Sequence, residues 1–192
     1  MLADHKNSYK LIVLTAFLFF LYLAADAAAA IQMALTPKEK AFLESHPVIR
    51  VANEMDWPPF DFVENGKATG YSIDLLNLIA EKTGLDLEYI NGYSWDQLLK
   101  MGIQQEIDVF PAMWKTAERE KHFNFSKPYI DTPYILVIHE DADQLTDIES
   151  LRGRKLTGIK GFASTEQAKK HYPEIHIVEV DNAVEGLRQV SY

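Results

Sequence analysis

The sequence predicts a mostly parallel α/β fold. Two observations carry this reading. Short apolar, β-rich runs alternate with segments of helical periodicity along residues 48–190, and strand–helix alternation is the mark of βαβ units. Three helical segments also open on Ser/Thr-x-x-Glu/Gln capping boxes, at Thr36, Ser94 and Ser164, so their start points are local properties of the chain.

Thr36, Pro37 and Glu39 set a capping box with proline at the first helical position. The helix is expected to run to about Ser45 and to stop before Pro47. Residues 48–52 read as a strand. Trp57, Pro58, Pro59 and Phe60 follow it as a loop, because consecutive prolines remove donors and fix the backbone. Asn65-Gly66 is a turn signal, with residues 60–63 and 67–69 as the arms of a small hairpin. Tyr71, Leu75, Leu78 and Ile79 recur at i, i+4, i+7 and i+8, which predicts a helix over residues 72–83; Gly84 stops it.

Residues 85–90 form the next strand. Ser94 and Gln97 open a helix that places Trp95, Leu98, Leu99 and Gly102 on one face. Residues 107–111 read as a short buried strand, and Thr116 caps a short helix through Lys121. Residues 134–139 are apolar and β-rich, and residues 148–151 are a helical turn. A strand over 155–159, a helix from Ser164 to about Tyr172, a strand over 175–180 and a helix over 182–190 complete the pattern.

Composition narrows the function. The 192 residues carry a net charge of −9, with 47% hydrophobic and 24% charged residues. That is globular composition. An acidic chain, with a sequence pI of about 5.1, lacks the basic face that nucleic-acid binding needs. With no cysteine, a disulfide scaffold, a Cys-ligated metal and a thiol nucleophile are excluded. The six histidines show no metal-ligand spacing, so no metal or other cofactor is expected. Neither a G-x-S-x-G elbow nor a phosphate-binding G-x-x-x-x-G-K occurs. Asp56, Asp61 and Glu64 read as a solvated loop, and no catalytic residue is assigned.

Residues 1–30 are a separate matter. Lys6 and Lys10 precede the apolar run of residues 11–25, and small residues with A-x-A triplets follow. That order is a secretory signal peptide; an uncleaved membrane anchor and a buried core helix are the alternatives. Signal peptide and anchor both imply export. The two lysines and two aspartates of this segment cancel, so the remainder keeps the net charge of −9.

In open α/β sheets, ligands sit at the carboxyl ends of strands. The loops there, residues 53–60, 92–95, 111–119 and 160–164, hold all three tryptophans, Arg119 and a glycine-led helix start. This concentration points to a small-molecule site.

The motifs that carry a resemblance occur in this order: Pro47-Val-Ile-Arg-Val, Asp56-Trp-Pro-Pro-Phe60, Gly66-x-x-x-Gly70-Tyr71-x-x-Asp74, Trp95, Ile107-Asp108-Val, Thr116-x-x-Arg119 and Phe125-Ser-x-Pro-Tyr129. As an ordered set over residues 36–192, the chain resembles bacterial extracellular solute-binding proteins of family 3. The segment from Leu35, with His46-Pro-Val-Ile-Arg, is similar to the lead-in of sensor ectodomains that place this module ahead of a histidine kinase or cyclic-di-nucleotide enzyme.

The resemblance implies a periplasmic-binding-protein-like type II fold, the Venus flytrap of two lobes joined by a hinge. Residues 31–47 would be a lead-in helix, 48–138 lobe one and 139–192 part of lobe two. Lobe two would be incomplete at Tyr192, and the chain a fragment. The resemblance also assigns roles. Arg119 matches the arginine that holds a ligand carboxylate, a task suited to its planar fork of donors; by its neighbours Glu118 and Glu120 it also reads as a surface arginine. Trp57 and Trp95 match the aromatic pair that flanks a ligand, with core packing as the other reading of each.

Pro111, Ala112 and Trp114 match positions where amino-acid binders often carry hydroxyls, so this sequence lacks several headgroup donors. Trp114 can fill the pocket instead. Thr116 retains a hydroxyl, which also suits a helix cap. Gly161, Phe162 and Ala163 match a loop whose backbone N–H groups face the ligand, or they form a plain helix start.

The implied function is a non-catalytic, periplasmic binding module. It closes on a small carboxylate-bearing, amino-acid-like solute and signals to a membrane sensor kinase or cyclase, or to an ABC transporter. An enzyme of the same fold, a dehydratase, or the regulatory module of a lytic transglycosylase is the alternative.

Overall fold

The computed structural model describes residues 33–142 and 145–191. The segment read as a signal peptide lies outside these residues. No helix among the described residues is long and apolar enough to cross a membrane.

The chain begins with α1 (Pro37–Ser45), whose capping box forms as expected: the Thr36 hydroxyl accepts from the Glu39 N–H and the Glu39 carboxylate accepts from the Thr36 N–H. Strand β1 (Ile49–Ala52) pairs in parallel with β5 (Leu87–Ile90), Ile49 opposite Leu87. A single parallel bridge, Val51 to Val109, extends this sheet. Val51 and Ala52 are fully buried, because helices cover both faces of a parallel sheet and leave no polar side. Between β1 and β5 lie α2 (Tyr71–Thr83) and a three-stranded antiparallel sheet of β2 (Asp56–Trp57), β3 (Asp61–Glu64) and β4 (Lys67–Thr69). Asn65 and Gly66 turn the β3–β4 hairpin, both with positive φ, as the dipeptide predicts.

Helix α3 (Trp95–Ile103) is capped by Ser94 with Gln97 reaching back. It drives Trp95 and Leu98 into a core with Ala52 and Ile107. Burying Leu98 completely contributes roughly 1.5–3 kcal/mol.

A second parallel pair follows. Strand β6 (Lys155–Ile159) runs beside β7 (His176–Val180), Lys155 opposite His176 through Ile159 opposite Val180. Helices α4 (Ala163–His171) and α5 (Ala183–Val190) pack against it. Leu151, Ala163, Ala168, Ile175 and Val180 are its buried apolar residues. The two parallel sheets share no strand, and the whole is the mixed α/β fold that the sequence predicts.

Several local expectations are corrected. Trp57 belongs to the short strand β2 and pairs with Asp61, so the loop shrinks to Pro58, Pro59 and Phe60. Residues 107–111 contribute one bridge rather than a strand. The helix capped by Thr116 is a 3₁₀ turn, Arg119–Lys121. Ser164 does not cap α4: the N-cap lies two residues earlier, at Phe162, with no side-chain cap. Asp61 is not solvated but 1% exposed, because Asn53 Nδ2 donates to it at 2.6 Å from the end of β1.

Candidate ligand-binding cleft

The carboxyl ends of β1 and β5 face the turn between β6 and α4, and a cleft of about 440 Å³ opens there. Its walls include Trp57, Phe60, Trp95, Met113, Trp114, Tyr134 and Phe162, with Glu54 and Arg119 as its charged lining residues. The sequence positions each one. Gly70 folds the chain back so closely that a Cβ there would lie 2.4 Å from the Phe60 carbonyl oxygen. This contact fixes the Trp57–Phe60 loop at the cleft's edge. The Ser94 cap sets the first turn of α3 and hence Trp95. The Thr116 hydroxyl accepts from the Arg119 N–H at 3.2 Å and so orients the 3₁₀ turn.

Arg119 is 9% exposed. Its Nη1 donates to the Trp114 carbonyl at 2.8 Å and its Nη2 to the Gly161 carbonyl at 2.9 Å. The guanidinium lies 5.4 Å from the Trp95 ring centroid, within cation–π range. The Trp95 Nε1 also donates to the Gly161 carbonyl, at 3.0 Å.

Glu54 is the other charged group of the cleft. It is 4% exposed. Burial, reinforced by Asp61 and Asp56, pushes its pKa up to about 8, against the pull of Arg119. It is therefore mostly neutral at pH 7. Asp61 behind it is raised to about 6 by burial, although hydrogen bonds from Asn53 and the Glu54 N–H oppose the shift. A neutral carboxyl and a buried guanidinium thus share one aromatic-walled cleft. The first can give up a proton to an incoming cation, and the second can accept an anion.

The expected site residues divide into two groups. Arg119, Trp57, Trp95, Trp114, Phe162 and Ala163 all line this cleft. Trp57 packs edge-on to Phe162 at 6.5 Å, and Trp114 lies 5.1 Å from Tyr134. Trp95 is 6% exposed, so it serves core and cleft together. Gly161 offers its carbonyl, and the Phe162 N–H is committed to the Ile159 carbonyl at 3.1 Å. Ala112 is buried and lines a neighbouring cavity beside Tyr129. Thr116 acts as the cap of Arg119, away from the cleft wall. Glu54 and Tyr134 are cleft residues that the sequence does not single out. The carboxyl end of β1 was the one available signal for Glu54.

The family of bacterial extracellular solute-binding proteins, family 3, matches residues 49–189. The chain is 28% identical over 159 residues to the virulence sensor protein BvgS of Bordetella pertussis. It is 30% identical over 162 residues to the sensor protein EvgS of Escherichia coli K12. Each match covers 82% of this chain and 13% of the sensor, so the chain spans about an eighth of those relatives. The crystal structure of the B. pertussis BvgS periplasmic domain superposes with a TM-score of 0.72 at 25% identity, covering 91% of this chain and 34% of that one. An ancestral arginine-binding protein bound to arginine superposes with a TM-score of 0.68 at 32% identity, over 74% of this chain and 65% of that one. These structures share the Venus-flytrap arrangement, and the chain belongs to the bacterial extracellular solute-binding proteins, family 3.

Proposed function

We propose that this chain is the solute-binding module of a periplasmic receptor. It takes a small, amino-acid-like ligand that carries a carboxylate and passes lobe movement to a membrane partner. In this reading residues 1–30 export the protein, residues 31–47 lead in, and residues 48–138 and 139–192 contribute to the two lobes. The observation that carries it is the pairing of Arg119 and Glu54 in one aromatic-walled cleft. Arg119 takes the ligand carboxylate, Glu54 receives a cationic group, and Trp57 and Trp114 flank the body of the ligand. No general acid or base is needed, so the role is binding rather than catalysis.

The similarity to two sensor proteins over four fifths of the chain favours a sensor kinase as the partner, with a transporter as the second candidate. Thermal unfolding in a panel of amino acids, dicarboxylates and aromatic acids tests the ligand class. A ligand at a hundredfold excess over its Kd adds about 2.7 kcal/mol, which raises Tm by several degrees. A panel without any shift would overturn the carboxylate reading.

A further inference from the structure

We infer that the Gly161 carbonyl is a built-in latch, which holds the two lobes together on Trp95 and Arg119 when no solute is bound. The turn between β6 and α4 delivers this carbonyl across the cleft, and Gly161 sits there at φ 76°. Two donors from the opposite lobe converge on it, the Trp95 indole N–H at 3.0 Å and Arg119 Nη2 at 2.9 Å. Together they fill the acceptor capacity of one carbonyl oxygen. The approach is close: a Cβ on Gly161 would lie 3.3 Å from Trp95 Cδ1 and from Asp96 Cβ, so a side chain there would press the turn away from α3 as well as strain its backbone.

Two flanking contacts support the same closure. Lys160 Nζ reaches the Asp96 carboxylate at 3.5 Å, and the Asp56 carboxylate accepts from the Ala183 N–H at the start of α5. All these contacts join the β1–β5 side to the β6–β7 side, and all are made by protein atoms. The Arg119 fork is meanwhile divided between two backbone carbonyls. On the reading that Arg119 is the carboxylate clamp, a solute carboxylate and the Gly161 carbonyl compete for the same guanidinium, two of whose five N–H donors are already committed.

The test measures lobe separation without solute. The chain has no cysteine, so Glu81→Cys on α2 and Lys170→Cys on α4, both at exposed positions, give clean sites for paired spin labels in the full chain. The latch predicts one narrow distance distribution in solute-free protein. It also predicts a broader, longer distribution in Gly161→Ala and an intermediate one in Trp95→Phe. A broad, long distribution in the unsubstituted protein would overturn it. So would a narrow one that neither substitution moves. If Gly161→Ala fails to fold, Trp95→Phe, which keeps the aromatic bulk, carries the comparison. Because no solute is added, failure to find a ligand counts against the proposed function and not against the latch.

Discussion

The Trp95 indole N–H donates to the Gly161 carbonyl at 3.0 Å, across 66 positions of sequence. The same ring packs against Phe110 at 5.7 Å and Phe162 at 6.2 Å between ring centroids. One side chain therefore ties the first core to the opposite side of the cleft. Trp95→Phe should cost about 0.5–1.5 kcal/mol of stability, the worth of one hydrogen bond, while Trp95→Ala should cost roughly 3–5 kcal/mol by opening a core cavity. Urea unfolding of the two variants measures both, and equal costs would contradict the division of labour.

Gly70 gives the sharpest local prediction. Its φ of 122° and the 2.4 Å approach to Phe60 exclude any side chain. Gly70→Ala should destabilise by at least about 1–3 kcal/mol through strain and should weaken the cleft as the Trp57–Phe60 loop moves. Gly66 has a positive φ but open space around its Cβ position, so Gly66→Ala should cost only the left-handed backbone penalty, about 1–2 kcal/mol. Denaturant midpoints compare them, and a milder effect at Gly70 would contradict the close approach.

Stability should fall as pH rises. Glu54 is raised from 4.5 to about 8 and Asp61 from 3.8 to about 6, both chiefly by burial. Between about pH 4 and pH 8 the folded state thus holds more protons than the unfolded one, and stability declines across that window. A tenfold change in proton affinity is worth about 1.4 kcal/mol, so the Glu54 contribution is several kcal/mol. Glu54→Gln should flatten the profile and gain most at pH 8. Urea midpoints at pH 5 and pH 8 decide it, and a variant that keeps the full slope would remove Glu54 as the source.

What was legible in the sequence was local. Thr36 with Glu39 and Ser94 with Gln97 satisfy backbone donors a turn away, and Asn65-Gly66 sets its own turn. These signals need no distant partner, and they hold. Expectations that depend on distant residues did less well. Residues 107–111 need β1 as a neighbour and keep only the Val109 bridge. Asp61 reads as solvated until Asn53, eight positions away in sequence, buries it. Ser164 lost its cap because Phe162, drawn into the cleft between Trp57 and Trp95, starts the helix first. The cleft followed the same rule: the tryptophans and Arg119 were visible as a cluster at strand ends, whereas Glu54 offered only its place after β1, and its burial comes from the fold.

The carboxylate clamp is the central claim, and calorimetric titration of Arg119 variants tests it most directly. The titrant is the amino acid or dicarboxylate that gives the largest thermal shift. Losing a charge-assisted contact should cost roughly 1.5–3 kcal/mol, so Arg119→Ala should bind about one to two decades more weakly. Arg119→Lys should also lose affinity, because an ammonium makes no planar two-point contact. Unchanged affinity in Arg119→Ala, with the variant folded, would contradict the account.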